Sequence, residues 1–328
     1  MKRSLEKYII FVIPAIVLLL IPAITSNPYF LHVGILVMLN SMLAISLMPL
    51  LRSGLINIAH ASFWAIGAYS SALLVMKVGL NFWLTMISAG LIATIFAAVI
   101  GFLTLRIRGL FFMLVTFSFA TFFQLALSYL RGLTGGPDGL VGIPGPPSVL
   151  LPYGLKIEFV GKVSYYYFIL LLLAGAVLIV YRLWVSKLGR ICRAMAENER
   201  LVQSIGVNPM KYKMLIFCTM TFLSGIAGSF YAHYLRFLGP QDFDVWASIT
   251  LLIFVQVGGL YSFFGGLIGA SSLTIIAELF KFAEHWQPIF FGGLLILVSL
   301  FAPEGMVGIV SRLKEKVRKT CLYWKQKS

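Results

Sequence analysis

Apolar residues fill this chain in long blocks, broken by short polar stretches and by one polar stretch much longer than the others. A helix needs about 20 consecutive apolar residues to cross a bilayer. By that measure the blocks predict crossing helices near 8–24, 30–50, 82–105, 110–130, 164–184 and 214–235. Another block, Ser53 to Met76, is long enough to cross, but Gly54, Asn57, His60 and Gly67 interrupt it. Small residues permit close helix packing, and interrupted spans free backbone groups to line a pathway. Shorter apolar pieces at 248–258 and 265–281 flank the sequence GGLYSFFGG, and a last one covers 288–302. Together these predict an all-α polytopic protein of about ten spans, with both termini on one side.

The long polar stretch runs from Ser186 to Lys213. Within it Ile191, Ala194, Met195, Leu201, Val202 and Ile205 recur at helical spacing, while Arg190, Arg193, Glu197, Arg200 and Ser204 share the other face. This pattern predicts an amphipathic helix from Arg190 to Ile205. Glu197 follows Arg193 by four residues and precedes Arg200 by three, a spacing suited to intrahelical pairing. Gly206 and Pro209 supply the stop.

Composition sharpens the membrane reading. The 328 residues are 60% hydrophobic and 11% charged, with a mean hydropathy of +0.95, which excludes an ordinary soluble domain. The net charge of +15 is unevenly placed. Residues 182–213 hold seven Lys/Arg against two acids, and residues 312–328 hold seven against one. Lys/Arg-rich loops mark the cytoplasmic side, so both regions and the Met1-Lys2-Arg3 start are expected to face inward. Anchoring to anionic lipid explains the basic tail better than nucleic-acid binding, despite the interleaved Tyr323 and Trp324. Cys192, Cys218 and Cys321 are dispersed and predict neither a disulfide framework nor a metal site. The basic start and apolar run 8–24 resemble a signal peptide without a small-residue cleavage site, and are read as an uncleaved first span.

Candidate chemistry is sparse. The one Gly-Lys pair, Gly161-Lys162, continues into Val163 and is no phosphate-binding loop. Glu278 and Glu284 lie near a span end, so the deep carboxylates expected of an ion-driven carrier are missing. His32, His60, His233 and His285 are scattered without the acid partners of an intramembrane enzyme. Asn57 and His60 in the interrupted block are candidates to line a translocation path, with Thr116 and Gln124 of the 110–130 block as further polar positions; helix packing is the competing explanation for all four. Residues 131–163 are rich in Gly and Pro and form an external loop. In it Gly135, Gly136 and Asp138 compose either a turn or a docking element for an outside protein. The Gly-interrupted stretches near 54–67 and 258–270 fall in opposite halves of the chain and hint at an internal repeat.

Six blocks carry a family resemblance in order: SGLINIAHASFWAIGAYSSA, RIRGLFFMLVTFSFA, LTGGPDGLVGIP, GRICRAMAENERLVQSIGVNPMKYK, FLSGIAGSFYAHYLRFLGPQDF and FAPEGMVGIV. Over roughly residues 30–310 the chain resembles the permease of branched-chain amino-acid ABC importers, in its M-type Liv form, within the ribose/branched-chain amino-acid permease superfamily. The resemblance implies a multi-pass subunit of the bacterial inner membrane with the ribose-type, ten-span importer fold. It implies a second homologous permease, two cytoplasmic ATP-binding subunits and an extracytoplasmic substrate-binding protein as partners. ATP and magnesium would be bound by the ATPases, with no cofactor in this chain. The whole chain, 1–328, is then one permease domain: spans one to six over 8–185, a coupling loop at 186–213, spans seven to ten over 214–303 and a basic tail at 304–328. The family's coupling signatures fall on Gly189, Arg190, Ala194, Glu197, Asn198, Gly206, Val207 and Asn208. Ala120-Thr121 replaces a Gly-Glu common in these permeases. The same group includes importers of urea, short amides and other small solutes, so these remain alternatives to a branched-chain amino acid, as does a stand-alone ion-coupled carrier.

Overall fold

A computed structural model describes residues 18–25, 27–150, 156–159, 161–279, 287–301 and 305–308. The Met1-Lys2-Arg3 start, the first half of the expected 8–24 span, Glu284, His285, Cys321 and most of the 304–328 tail lie outside the described residues. Residues 18–24 are helical and lie against the fifth helix below, whose Tyr166 and Tyr167 hydroxyls donate to the Leu18 and Leu19 carbonyls.

Among the described residues ten helices of 14 or more residues follow: α1 (Pro28–Arg52), α2 (His60–Val78), α3 (Phe82–Thr104), α4 (Leu110–Tyr129), α5 (Lys162–Val185), α6 (Lys187–Ser204), α7 (Pro209–Leu235), α8 (Val245–Gly258), α9 (Gly265–Leu279) and α10 (Gln287–Phe301). Six of them, α1 to α5 and α7, are long and apolar enough to cross a membrane, and α8, α9 and α10 contain shorter apolar helices. Local chemistry sets their starts. Asn27, Asn81 and Asn208 each accept from a backbone N–H of the first turn, and Pro28 and Pro209 occupy first helical positions, where no N–H is needed.

The bundle has a buried centre and an apolar rim. Helices α1, α2 and α7 are mostly enclosed, whereas α3, α4 and α5 expose rows of large apolar side chains such as Phe96, Val99, Phe111, Phe122 and Leu171. Exposed apolar rows of this extent fit lipid or other membrane helices rather than water. At the centre α2 and α7 approach until backbone meets backbone: a Cβ placed on Gly67 would strike the Gly225 carbonyl, and one on Gly228 the Trp64 carbonyl. Only glycine permits that separation, in the small-residue mode of membrane helix packing.

The two ends of the bundle differ in charge. At one end the α1 terminus, the α3–α4 turn, the end of α5, all of α6 and the start of α7 bring together Arg52, Arg106, Arg108, Arg182, Lys187, Arg190, Arg193, Lys211 and Lys213. At the other end the outer loop folds across the bundle. Lys77 Nζ donates to the Gly132 carbonyl, the two-residue strands Leu140–Val141 and Phe237–Leu238 pair antiparallel, and His233 Nδ1 meets the Pro144 carbonyl at 2.6 Å. The Lys/Arg-rich 182–213 stretch thus shares one end of the bundle with Arg52, Arg106 and Arg108.

Three expectations change. The interrupted third block does not cross from Ser53: the backbone is non-helical through Ala59 and the helix begins at His60. The amphipathic helix starts three residues earlier than expected, at Lys187, and has non-helical backbone at Asn198, φ −154° and ψ 100°. Its buried face is Cys192, Met195 and Val202, while Ala194, Leu201 and Ile205 of the expected apolar face are exposed. Cys192, Met195 and Val202 keep one helical spacing across the kink, and Ala194, Leu201 and Ile205 lie together beside them, so the expected apolar face is wider than the stripe that packing covers.

Candidate functional site

Most residues singled out by sequence fall in two regions that meet at the basic end of the bundle, while Gly135, Gly136 and Asp138 lie in the outer loop at the other end. The first is the break between α1 and α2. Gly54 has φ +80° and passes beside Ala196 of α6, with a Cβ at Gly54 lying 3.5 Å from the Ala196 Cα. From there Asn57, Ile58 and His60 turn into the protein and are buried.

A non-helical backbone inside a bundle must find partners for its amides. Here they come from three directions. The Ala59 N–H donates to Asn57 Oδ1 at 2.9 Å, the Ile58 N–H to Thr116 Oγ1 of α4 at 3.2 Å, and the Ala61 N–H to Ser248 Oγ of α8 at 3.0 Å. Thr116 therefore stabilises the break directly. The structure brings Asn57, His60 and Thr116 together, while Gln124 sits two turns further along α4 and half-buried.

Ser46 Oγ lies 2.7 Å from the Leu43 carbonyl, to which it can donate, and 2.9 Å from His60 Nε2. His60 Nδ1 and the Asn57 Nδ2 amide are both buried without a partner, as are Ser62 Oγ, Trp64 Nε1 and Ser224 Oγ. Buried unsatisfied polar groups are unusual and costly.

The second region is α6 with its flanks, where most of the coupling-signature residues prove to shape the chain. Gly189 lies so close to the end of α5 that a Cβ would stand 2.5 Å from the Leu183 carbonyl. Ser186 caps α6 through the Gly189 N–H, and Arg190 Nη1 donates to the Val185 carbonyl. Asn198 Oδ1 accepts from the Leu201 N–H at 3.1 Å, so Asn198 ends one helical piece and caps the next. Gly206, at φ +81°, turns the chain, Val207 is half-buried, and Asn208 caps α7. Ala194 and Glu197, in contrast, are exposed, and with Leu201 and Ile205 they form a mixed apolar and acidic surface.

The pairing expected of Glu197 with Arg193 and Arg200 is not among the ion pairs of the described residues. Glu199 carries them instead. Its Oε2 lies 2.9 Å from Lys213 Nζ and 3.1 Å from Arg108 Nε. Lys213 is nearly sealed, with its side chain 5% exposed, so this contact fastens α6 to α7 and to the α3–α4 turn. The wheel pattern put no weight on Glu199. The available signal was Lys213, a lysine heading an apolar helix, which demands an acid when buried.

The outer-loop residues build a tight turn. Gly135 and Gly136 have φ +77° and +63°, and Asp138 ends a 3-10 turn with its side chain exposed. A Cβ at Gly135 would strike the Gly139 carbonyl. Thr134 Oγ1 donates to the Leu127 carbonyl at 2.5 Å, fixing this turn on the end of α4. The described residues contain no group of three or more His, Cys, Asp or Glu able to hold a metal ion.

Comparison with known proteins identifies the family. Residues 29–299 match the family model described as branched-chain amino acid transport system, permease component. The chain is 30% identical over 272 residues to the high-affinity branched-chain amino acid transport system permease protein LivM of Escherichia coli, covering 78% of this chain and 64% of that protein. It is 23% identical over 271 residues to the permease protein LivH of Salmonella typhimurium, covering 78% of this chain and 86% of LivH. It is 28% identical over 158 residues to the permease protein BraD of Pseudomonas aeruginosa, covering 47% of this chain and 50% of BraD. No solved structure matches.

Proposed function

Because the chain belongs to the branched-chain amino acid transport permease family, we propose that it is the translocating subunit of an ATP-driven importer for a branched-chain or similarly small apolar amino acid. The observation that carries the reading is α6, a polar two-piece helix on the basic end of a multi-pass bundle. It is braced by Glu199 and presents Ala194, Glu197, Leu201 and Ile205 outward. An amphipathic helix presented in this way suits insertion into a groove of a partner. ATP-binding subunits in the cytoplasm would receive it, and both termini would lie on that side of a bacterial inner membrane.

Transport proceeds by alternating access, with packed helices moving as rigid bodies when the partner binds and hydrolyses ATP. The bracing of α6 by Lys213 and Arg108 gives displacement of the helix a direct route to α7 and to the α3–α4 turn. A second, homologous permease would cover part of the apolar rim. The Gly135–Asp138 turn faces the side from which a binding protein would deliver cargo. Asn57, His60 and Thr116 mark the polar break along the path.

The test is uptake of radiolabelled leucine into vesicles holding this chain, its paired permease and the two ATP-binding subunits, with the binding protein added outside. The proposal requires uptake that depends on ATP and on the binding protein. Uptake by this chain alone, driven by an ion gradient, would overturn it. Competition by urea or short amides, but not by isoleucine or valine, would overturn the cargo assignment alone.

A further inference from the structure

The outer end of α7 is fastened to three other parts of the chain through one imidazole. His233 Nδ1 lies 2.6 Å from the Pro144 carbonyl of the outer loop. A carbonyl only accepts, so Nδ1 carries a proton and donates it there. On the other side of the ring, Nε2 lies 3.0 Å from Ser71 Oγ of α2. That hydroxyl also meets Ser229 Oγ of α7 at 2.7 Å and Thr85 Oγ1 of α3 at 3.2 Å. His233, Ser71, Ser229 and Thr85 are all fully buried.

The segment that His233 holds lies over the end of α7 as a strap. Leu140–Val141 pairs with Phe237–Leu238, and the Gly142 and Ile143 N–H groups both donate to the Arg236 carbonyl, at 3.1 and 3.3 Å. Ile143 is buried, and Gly145 is pressed against Tyr165, where a Cβ would stand 2.8 Å from the hydroxyl. Arg236 caps α7 at φ +61°, the one positive φ outside glycine among the described residues, and there the chain turns back along the strap.

These attachments differ in how water reaches them. Val141, Gly142 and Phe237 are exposed, and so is the contact of Lys77 with Gly132. Water competes with exposed hydrogen bonds. Lifting the strap would instead leave the enclosed Nδ1–H of His233 without a partner, which is costly.

At its other end α7 is held to α6 by Lys213 and Glu199. His233 follows Lys213 by 20 residues, about 30 Å along the helix. Between them Gly225 and Gly228 meet the backbone of α2 at Gly67 and Trp64. A helix packed this closely moves with its neighbour as a unit.

We propose that His233 is a positioning residue that clips the outer strap to α7, so that a protein docking on the outer loop acts through α7 on α6. It rests on the proposed delivery of cargo by a binding protein from that side.

The test separates the two ring nitrogens. Asparagine places its amide nitrogen near the position of Nδ1, and glutamine near that of Nε2. His233→Asn therefore keeps a donor for the Pro144 carbonyl, whereas His233→Gln loses it and still reaches Ser71. Hydrogen exchange in the full chain alone, in detergent, reads the strap. Exchange at the Gly142 and Ile143 amides should rise about tenfold in His233→Gln and stay near wild type in His233→Asn.

The assembled transporter reads the coupling. Basal ATP hydrolysis should be alike in all three proteins, while its stimulation by the cargo-loaded binding protein should fall about fivefold or more in His233→Gln alone. Val141 and Phe237 face each other across the ladder. A disulfide from Val141→Cys/Phe237→Cys, added to His233→Gln, should restore stimulation, and its reduction should remove it again. Should His233→Gln fail to fold, Gly145→Val lifts the strap from outside the buried cluster and should give the same pattern. Equal exchange in the Gln and Asn variants, undiminished stimulation in His233→Gln, a parallel fall in basal hydrolysis, or no rescue by the disulfide would each overturn the proposal. Absence of stimulation in the wild-type assembly, with the exchange difference intact, would defeat the importer reading, and the coupling would fall with it.

Discussion

Lys213 Nζ meets Glu199 Oε2 at 2.9 Å, and through that contact the long polar stretch is fastened to the first turn of a central membrane helix. A lysine this enclosed has no other way to keep its charge at low cost. Glu199→Gln should therefore destabilise the protein by about 3 kcal/mol, the cost of leaving a buried charge unpaired. Glu199→Leu/Lys213→Leu should recover most of that loss. Thermal unfolding in detergent checks both, and equal midpoints for wild type and Glu199→Gln would contradict the assignment.

Asn198 tests whether the kink in α6 is functional. Its side chain caps the following turn, and replacement by alanine removes a cap worth about 1 kcal/mol while favouring a continuous helix. Asn198→Ala should lower uptake several-fold with only a small change in unfolding temperature, and Asn198→Asp should restore uptake. Normal uptake in Asn198→Ala would show that the break merely accommodates the chain.

Glycine positions divide by what surrounds them. Gly228→Ala forces a methyl group into the Trp64 carbonyl, so both helices must separate; overpacking of this kind costs about 1–3 kcal/mol or more. Gly175→Ala on α5 meets nothing within 4 Å and should be neutral or slightly stabilising. Expression and unfolding of the pair of variants provide the comparison. Similar behaviour in both would refute the close approach of α2 and α7.

Burial pushes the Cys192 thiol up to about 12, despite the opposing influence of Arg193 and Lys213. The folded state thus holds this proton more tightly than the unfolded chain, whose thiol titrates near its ordinary value of 9.0. The associated stability is complete below pH 9 and declines as pH rises towards 12. Maleimide labelling of Cys192 should be slow in the folded protein at neutral pH and fast after unfolding. The stability loss between pH 8 and pH 10 should be smaller in Cys192→Ser.

Much of the bundle was legible in the sequence because a membrane imposes one simple requirement, about 20 apolar residues for each crossing. That rule located α1, α3, α4, α5 and α7. It failed at Ser53–Ala59, where apolar content was high enough but the backbone relies on Thr116 and Ser248 from distant parts of the chain. Sequence periodicity cannot display partners brought together by tertiary folding. The same limit explains Glu199 and the role of Ser46, each of which acquires its meaning from a neighbour in space. In α6 the periodic pattern was real, but only the stripe of Cys192, Met195 and Val202 is covered by neighbouring helices, and which part of an apolar face is covered is decided by tertiary packing. The resemblance marked Gly189, Asn198, Gly206 and Asn208 without saying why; the structure shows a close approach, a helix break, a turn and a cap.

The central claim is that the exposed surface of α6 receives the action of an ATP-hydrolysing partner. Glu197→Lys tests it most directly, because the side chain is exposed and the substitution leaves the Glu199 brace intact. ATP-dependent leucine uptake should be measured in vesicles alongside co-purification of the ATP-binding subunits and the unfolding midpoint of the isolated chain. The account predicts an unchanged midpoint together with weakened assembly and uptake lowered about tenfold or more, as expected when a charge at a docking surface is reversed. Wild-type assembly and wild-type uptake in Glu197→Lys would contradict it.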